Sequence, residues 1–344
     1  MTAPNQPPSP SPATCYAVIG GAGFIGSHMV DALLARDDVE QVTIFDNFAS
    51  GQRWHLRHHQ DDDRLEVIEG DCKARPMIED AIRGHETIIH LASNPDIAAA
   101  QSDPTIDFIE GTLLTQNVIE AMRRTGVKTI LYASGSGIYG DLGTTDLHED
   151  HGPCEPISTY GASKLAGETL IASYCHMFGM TGRAFRFANV VGPRQTHGVG
   201  YDFIRRLMAN PNSLRILGDG SQSKPYIHAR DVVDAVLLAE REETAPFRAY
   251  NVSTPQAITV NEIADLACQT LQLDPAQVAY EYTGGNRGWQ GDVPIVRLNS
   301  ERIRKLGWVE KFSAAEAMSD ALAAIHDGVK AGDIPGYGPE LVHG

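Results

Sequence analysis

Tyr160 and Lys164 stand four residues apart in Tyr160-Gly-Ala-Ser-Lys164. On a helix that spacing puts a phenol and an ammonium on one face, a turn apart. A phenol at its ordinary pKa of about 10 is a poor base at neutral pH. A neighbouring ammonium favours the phenolate and pulls that value down. Tyr160 is therefore a candidate general base, with Lys164 also placed to hold a ribose. Far upstream, Gly20-Gly-Ala-Gly-Phe-Ile-Gly26 has the spacing of a turn that cradles a dinucleotide pyrophosphate.

The elements around these residues must hold them. Tyr16–Gly20 reads as a buried strand entering the Gly-rich turn, and Ser27–Arg36 as the helix leaving it. The first Gly makes the tight turn, Gly23 lets the pyrophosphate approach, and Gly26 lets helix and strand pack closely. Further strands are expected at Gln41–Phe45, Leu65–Ile68, Thr87–Leu91, Lys128–Tyr132 and Arg183–Phe187, and helices at Thr105–Arg124 and Ser158–Phe178. This alternation predicts an α/β chain with a Rossmann-type doubly wound parallel sheet. Asp46 ends the second strand, 20 residues past Gly26, where a carboxylate accepts both ribose hydroxyls. Its charge would repel a 2′-phosphate and Asn47 and Phe48 supply no cation, so NAD is favoured over NADP, with Arg53 nearby as the one opposing feature. Gly70-Asp71-Cys72 is placed either to meet an adenine edge or simply to turn the chain. Leu91, Ala92 and Ser93 end the fourth strand at the sheet edge where ligands sit.

After Asn189 the pattern loosens into Gly- and Pro-rich turns with smaller helices near Asp202–Ala209 and Val260–Leu271. A smaller α/β substrate-binding domain is expected over 189–226 and 253–331, beside a cofactor domain of 15–188 and about 227–252. The helix Asp231–Ala239 is expected to return to the first domain. Residues 1–14, rich in Pro, Ser and polar residues, read as a disordered leader, and 332–344 as a tail. The net charge of −16 argues against nucleic acid or an anionic membrane as a main partner. Five scattered cysteines without a C-x-x-C pair speak against a disulfide framework or a zinc site, and fit a cytoplasmic setting. No run approaches the roughly 18 apolar residues of a membrane span.

With these motifs the chain resembles the extended short-chain dehydrogenase/reductase family, and within it the NAD-dependent nucleotide-sugar epimerases and dehydratases. The likeness runs from Cys15 to about Ala331, through Asp46-Asn-Phe48, His90-Leu-Ala-Ser93, Tyr139-Gly140, Ala188–Arg194, Gly218-Asp-Gly220, Asp231-Val-Val233, Gly284–Asp292 and Leu306-Gly-Trp308. It implies NAD contacts from Gly20, Gly23, Phe24, Ile25, Gly26, Asp46, Asn47, Ser50, Gly51, Asp71, Cys72, Leu91, Ala92, Ser93, Tyr160, Lys164, Phe187 and Val190. It implies that Asn189 and Arg287 meet the diphosphate of a UDP-sugar, within a motif that ends at Asp292. Lys224 and Tyr226 are placed for uridine-side contacts. His197, Val199 and Phe203 are placed to wall the nucleotide pocket, with a surface loop as the other reading of His197. Arg194 is a candidate for a hexuronate carboxylate or the phosphates. No metal is implied, and relatives suggest a homodimer through the two long helices.

The loop Tyr132–Gly140 bears on the reaction. Dehydratases of this family carry an Asp-Glu pair where Ser136 and Gly137 stand, and UDP-glucuronate decarboxylases a Glu at Gly137. Both chemistries need that carboxylate, so its absence points to plain 4-epimerisation of UDP-glucose or UDP-glucuronic acid. Many epimerases place a Ser or Thr at the position of Gly135. Ser134 is favoured here as its replacement, with Ser136 the other candidate and a plain turn the third reading. The rival activities are decarboxylation or dehydration of the same class of substrate, or a dinucleotide sensor that has lost catalysis.

Overall fold

The computed structural model describes residues 14–285, 291 and 293–337. Strands are β1 (Thr14–Ile19), β2 (Val39–Asp46), β3 (Leu65–Glu69), β4 (Thr87–His90), β5 (Thr129–Gly135), β6 (Thr181–Phe187), β7 (Asn189–Val191), β8 (Ser213–Ile216), β9 (Ser223–Lys224), β10 (Tyr226–His228), β11 (Phe247–Val252), β12 (Ile258–Thr259) and β13 (Ala279–Tyr282). Helices are α1 (Phe24–Leu34), α2 (Arg75–Ala81), α3 (Leu114–Thr125), α4 (Thr159–Phe178), α5 (Val199–Ala209), α6 (Ala229–Glu242), α7 (Val260–Thr270), α8 (Glu301–Arg304) and α9 (Ala314–Ala331). Seven strands make one sheet in the order β11-β6-β5-β4-β1-β2-β3, and every pairing within it is parallel.

The residue pattern explains the layers. Alternate residues of a strand face opposite sides, and β1 is apolar on both: Tyr16 and Val18 join one core, Ala17 and Ile19 the other. A parallel sheet buried on both faces needs such strands. The first core takes Met29 and Leu33 of α1 and Val232, Val233 and Val236 of α6. The second takes Ile78 of α2, Val118 and Met122 of α3, and Ile171 of α4. Helix α6 thus packs back onto the sheet. A third core lies among α5, α7 and α9 with β8 and β10.

The structure departs from the sequence reading at two places. A seventh sheet strand, β11, pairs with β6 from Phe247–Gly182 to Val252–Phe187. Its Phe-Arg-Ala-Tyr-Asn-Val sequence mixes polar and apolar residues as an edge strand can, so it lacks the apolar run of β1. The expected helix Thr105–Arg124 is instead a π-helical segment, Phe108–Leu113, feeding α3. Ser158, by contrast, is the N-cap of α4, its hydroxyl accepting from the Gly161 amide at 3.1 Å.

The chain order reverses between β1 and β4, and ligands sit at such a switch point, beyond the carboxyl ends of the strands. The loops leaving these strands touch: a Cβ at Gly20, where φ is +82°, would lie 2.8 Å from the Ala92 nitrogen. Helix α4 approaches β5 as closely. A Cβ at Gly167 would stand 2.3 Å from the Tyr132 hydroxyl. Gly167→Ala is therefore expected to destabilise the fold by about 1–3 kcal/mol through overpacking, read by denaturant unfolding. An unchanged midpoint would mean that α4 can move off β5 freely.

Candidate active site

A cavity of about 1100 Å³ runs from the Gly-rich turn, past the ends of β4 and β5, to α5 and β9. Its first end is built for a dinucleotide. α1 begins at Gly23 with no side-chain cap, so its first amides, at the lining residues Phe24, Ile25 and Gly26, are left for phosphate oxygens. A Cβ at Gly26 would come within 2.2 Å of the Gly20 carbonyl oxygen, so only Gly allows this turn and helix to pack. Asp46 faces the same space, its two oxygens fixed by the amides of Ala22 (3.0 Å) and Phe48 (2.8 Å). Burial pushes its carboxyl up, and those two hydrogen bonds work against the rise. Arg53 does not reach in: it stacks 4.2 Å over the Phe48 ring and pairs with Glu69. That cation is thus committed elsewhere, and Lys73, which lines the cavity beside Asp71, is paired with Asp71 and Glu110.

Tyr160 and Lys164 line the middle of the cavity together with Ser93, Ser134, Ser136 and Ser158. Lys164 Nζ lies 5.4 Å from the Tyr160 ring centre and donates to the Ala133 carbonyl at 2.8 Å. Burial lowers its pKa to about 8, against the opposing pull of the Asp107 carboxylate. For Tyr160 the expectation is reversed. Its phenol is pushed above its ordinary value by burial and by Asp107, while a hydrogen bond with Ser93 counteracts them. Desolvation of the phenolate is the largest of these effects. Asp107 is itself held by Asn94 (2.8 Å) and Thr159 (2.6 Å). Nothing in residue spacing announces that network at the start of α4.

The serines differ. Ser134 is on the cavity wall, but its hydroxyl donates to Glu168 Oε1 at 2.5 Å. Glu168 is also gripped by Arg186, a pair that is 4% and 8% exposed. Ser134 therefore has lone pairs to offer a ligand and no proton. Ser136 lines the cavity, and its hydroxyl has no partner among the described residues.

The other expected residues divide clearly. Asn47, Ser50, Asp71, Cys72, Leu91, Ala92, Phe187, Val190, Asn189, His197, Val199, Phe203, Lys224 and Tyr226 all line the cavity. Asp71 also carries the turn reading, since its carboxylate accepts from the Lys73 amide at 2.8 Å. Gly51 is not on the wall: a Cβ there would strike Asp46 Oδ1 at 2.7 Å, so it backs the carboxylate. Arg194 is the clearest correction. Its guanidinium points away from the cavity onto Asp31 of α1 and the His55 carbonyl, because its backbone sits at φ +68°. Arg287 and Asp292 lie outside the described residues. Sequence reasoning missed Gln195, Asp202, Arg206 and Gln222, which line the far end. Gln195 Oε1, Arg206 Nε and Gln222 Oε1 are buried without a hydrogen-bond partner. They converge from a loop, a helix and a turn; Arg206 continues the α5 face of Val199 and Phe203, whereas no spacing signals Gln195 and Gln222.

A doubly wound sheet with an uncapped helix at its switch point and a Tyr–Lys pair beside it defines a dinucleotide-dependent enzyme. Comparison with known proteins narrows this. Residues 16–253 match the NAD dependent epimerase/dehydratase family. A UDP-glucose 4-epimerase of Mycolicibacterium smegmatis is 29% identical over 320 residues, covering 88% of this chain and 95% of that protein. UDP-glucuronic acid decarboxylase 1 of Arabidopsis thaliana is 30% identical over 311 residues, covering 88% of this chain and 67% of that protein. A crystal structure of a UDP-galactose 4-epimerase superposes with a TM-score of 0.80 at 35% identity, covering 92% of this chain and 100% of that one. The chain belongs to the NAD dependent epimerase/dehydratase family, and NAD is its cofactor. Among the described residues, no helix is long and apolar enough to cross a membrane.

Asp46→Ala should weaken NAD binding by about 1.5–3 kcal/mol, the worth of a hydrogen bond to a charged group, measured by calorimetric titration. In the same assay wild-type affinity should fall as pH rises through about 8, where the Lys164 ammonium is lost. Lys164→Met should bind more weakly and lack that step. A step of equal size in Lys164→Met would assign it to another group.

Proposed function

We propose that the chain is a UDP-sugar 4-epimerase that interconverts UDP-glucose and UDP-galactose. The observation that carries this is the loop after β5. Gly135, Ser136 and Gly137 line the cavity beside Tyr160 with no carboxylate among them, so the acid group that dehydration or decarboxylation would need is not supplied there. The neutral hexose is preferred to a uronate because Arg194, the cation considered for a carboxylate, is turned onto Asp31.

Bound NAD supplies a hydride acceptor and donor and a positive nicotinamide. Tyr160 takes the proton of the sugar C4 hydroxyl and later returns it. Its phenol, raised by burial, loses the proton more easily beside a cation. Lys164 keeps one donor on Ala133 and offers the others to a ribose. Ser136 donates to the hexose oxygen, in place of the Ser134 favoured from sequence, while Ser134 accepts. Because the C4 carbon must present both faces in turn, the nucleotide end has to be held while the hexose rotates. Asn189, Lys224, Arg206 and Gln222 are the described groups that serve this end. Exposed Phe108, Ile109, Met177 and Phe178 on the α3–α4 flank support a homodimer through those helices.

Incubation with UDP-glucose, read by NMR of the sugar, should yield UDP-galactose without an accumulating keto product, and incubation with UDP-glucuronic acid should release no carbon dioxide. Tyr160→Phe should lose about 10²–10⁴-fold in turnover, the usual worth of general acid–base catalysis, while still binding NAD. Ser136→Ala should cost more turnover than Ser134→Ala. The reverse order would return the hexose contact to Ser134.

A further inference from the structure

Arg194 lies 14% exposed in a non-glycine αL conformation (φ +68°), a strained state that persists only where the surroundings enforce it. The enforcing contacts are all on the cofactor side. Its guanidinium donates to both oxygens of Asp31, to His28 Nδ1 at 2.9 Å and to the His55 carbonyl at 3.2 Å. His28 Nε2 in turn donates to the Pro193 carbonyl at 2.8 Å. Burial holds His28 neutral, its pKa pushed down to about 4, so a single tautomer serves both bonds. Asp31 is further fixed by His58 and His59, at 2.7 and 2.9 Å. These three residues bring ligand-type atoms within 4.8 Å of one another, but the guanidinium on the same carboxylate already neutralises it and opposes a cation there.

The other face of this segment is cavity wall. Gln195, His197 and Val199 line it. Gln195 Nε2 donates to the His197 carbonyl at 2.7 Å, and its Oε1 is buried without a partner. An αL residue between Pro193 and Gln195 sends consecutive side chains to opposite sides, one onto α1 and the next into the site. The cofactor turn is tied in as well, since His55 Nδ1 donates to the Ala22 carbonyl at 2.8 Å.

We propose that Arg194 is a positioning residue: its clamp on Asp31 seats Gln195–Val199 as one wall of the sugar-nucleotide site, with the Gln195 carbonyl aimed at a ligand donor. The seating is a property of the chain alone. Its effect on substrate rests on the epimerase reading above.

The test uses the full chain with Arg194→Ala and the near-isosteric Asp31→Asn, in case the first folds poorly. Amide hydrogen exchange without ligand should speed about tenfold or more across Gln195–Val199 in both variants, while β1 and the start of α1 stay protected. With NAD bound, KM for UDP-glucose should rise about tenfold at nearly constant kcat and unchanged NAD affinity, and the double variant should be no worse than Arg194→Ala. Unchanged exchange over Gln195–Val199 in both variants would overturn the clamp. So would equal losses of NAD affinity and KM, the mark of a general loosening of α1. If the chain does not turn over UDP-glucose, the exchange result still decides the clamp and only the epimerase reading falls.

Discussion

The site depends on how α4 is fixed to the end of β5. Two consecutive residues of the strand bind two residues one turn apart on the helix: Ala133 accepts from Lys164, and Ser134 donates to Glu168. The Glu168–Arg186 pair stands behind this contact, and Arg186 reaches on to Tyr139 at 2.8 Å. Removing one partner from so buried a pair costs about 3–5 kcal/mol, because the other charge is left unpaired. Tyr160, Lys164 and Glu168 share one helix face, so this anchor also sets the height and rotation of the phenol. Gly167 against Tyr132 and Gly161 against the Gly137 carbonyl let the helix come close enough for these bonds to form.

What lay open in the sequence follows from local physics. The Gly20–Gly26 turn, the Asp46 carboxylate and the Tyr160–Lys164 spacing each need only a strand or helix of the expected kind around them. The structure supplies those elements within a few residues of the expected ends. The apolar runs of β1 and β4 similarly announce a parallel sheet, since only strands covered on both faces need them.

What stayed hidden is tertiary. The sequence presents Arg194 as a cation near the substrate, and only the backbone sign at that residue decides which way it points. The sequence favours Ser134 over Ser136, and only Glu168, 34 residues downstream of Ser134, shows that Ser134 has already committed its proton. The raised pKa of Tyr160 reflects burial and Asp107, neither visible from its neighbours in the chain. The polar far end of the cavity is assembled from Gln195, Arg206 and Gln222, on three separate segments. Only Arg206, on the α5 face of Val199 and Phe203, leaves a periodic trace; the loop and turn residues leave none.

The central chemical claim is that one carbon gives up a hydride and takes it back within a single site. UDP-glucose carrying deuterium at C4 tests it most directly. The account predicts that the UDP-galactose formed keeps essentially all of the label at C4, because the hydride never exchanges with water. Loss of the deuterium to solvent, with epimerisation intact, would mean that the carbon is inverted by proton removal, and would contradict the role assigned to Tyr160 and NAD.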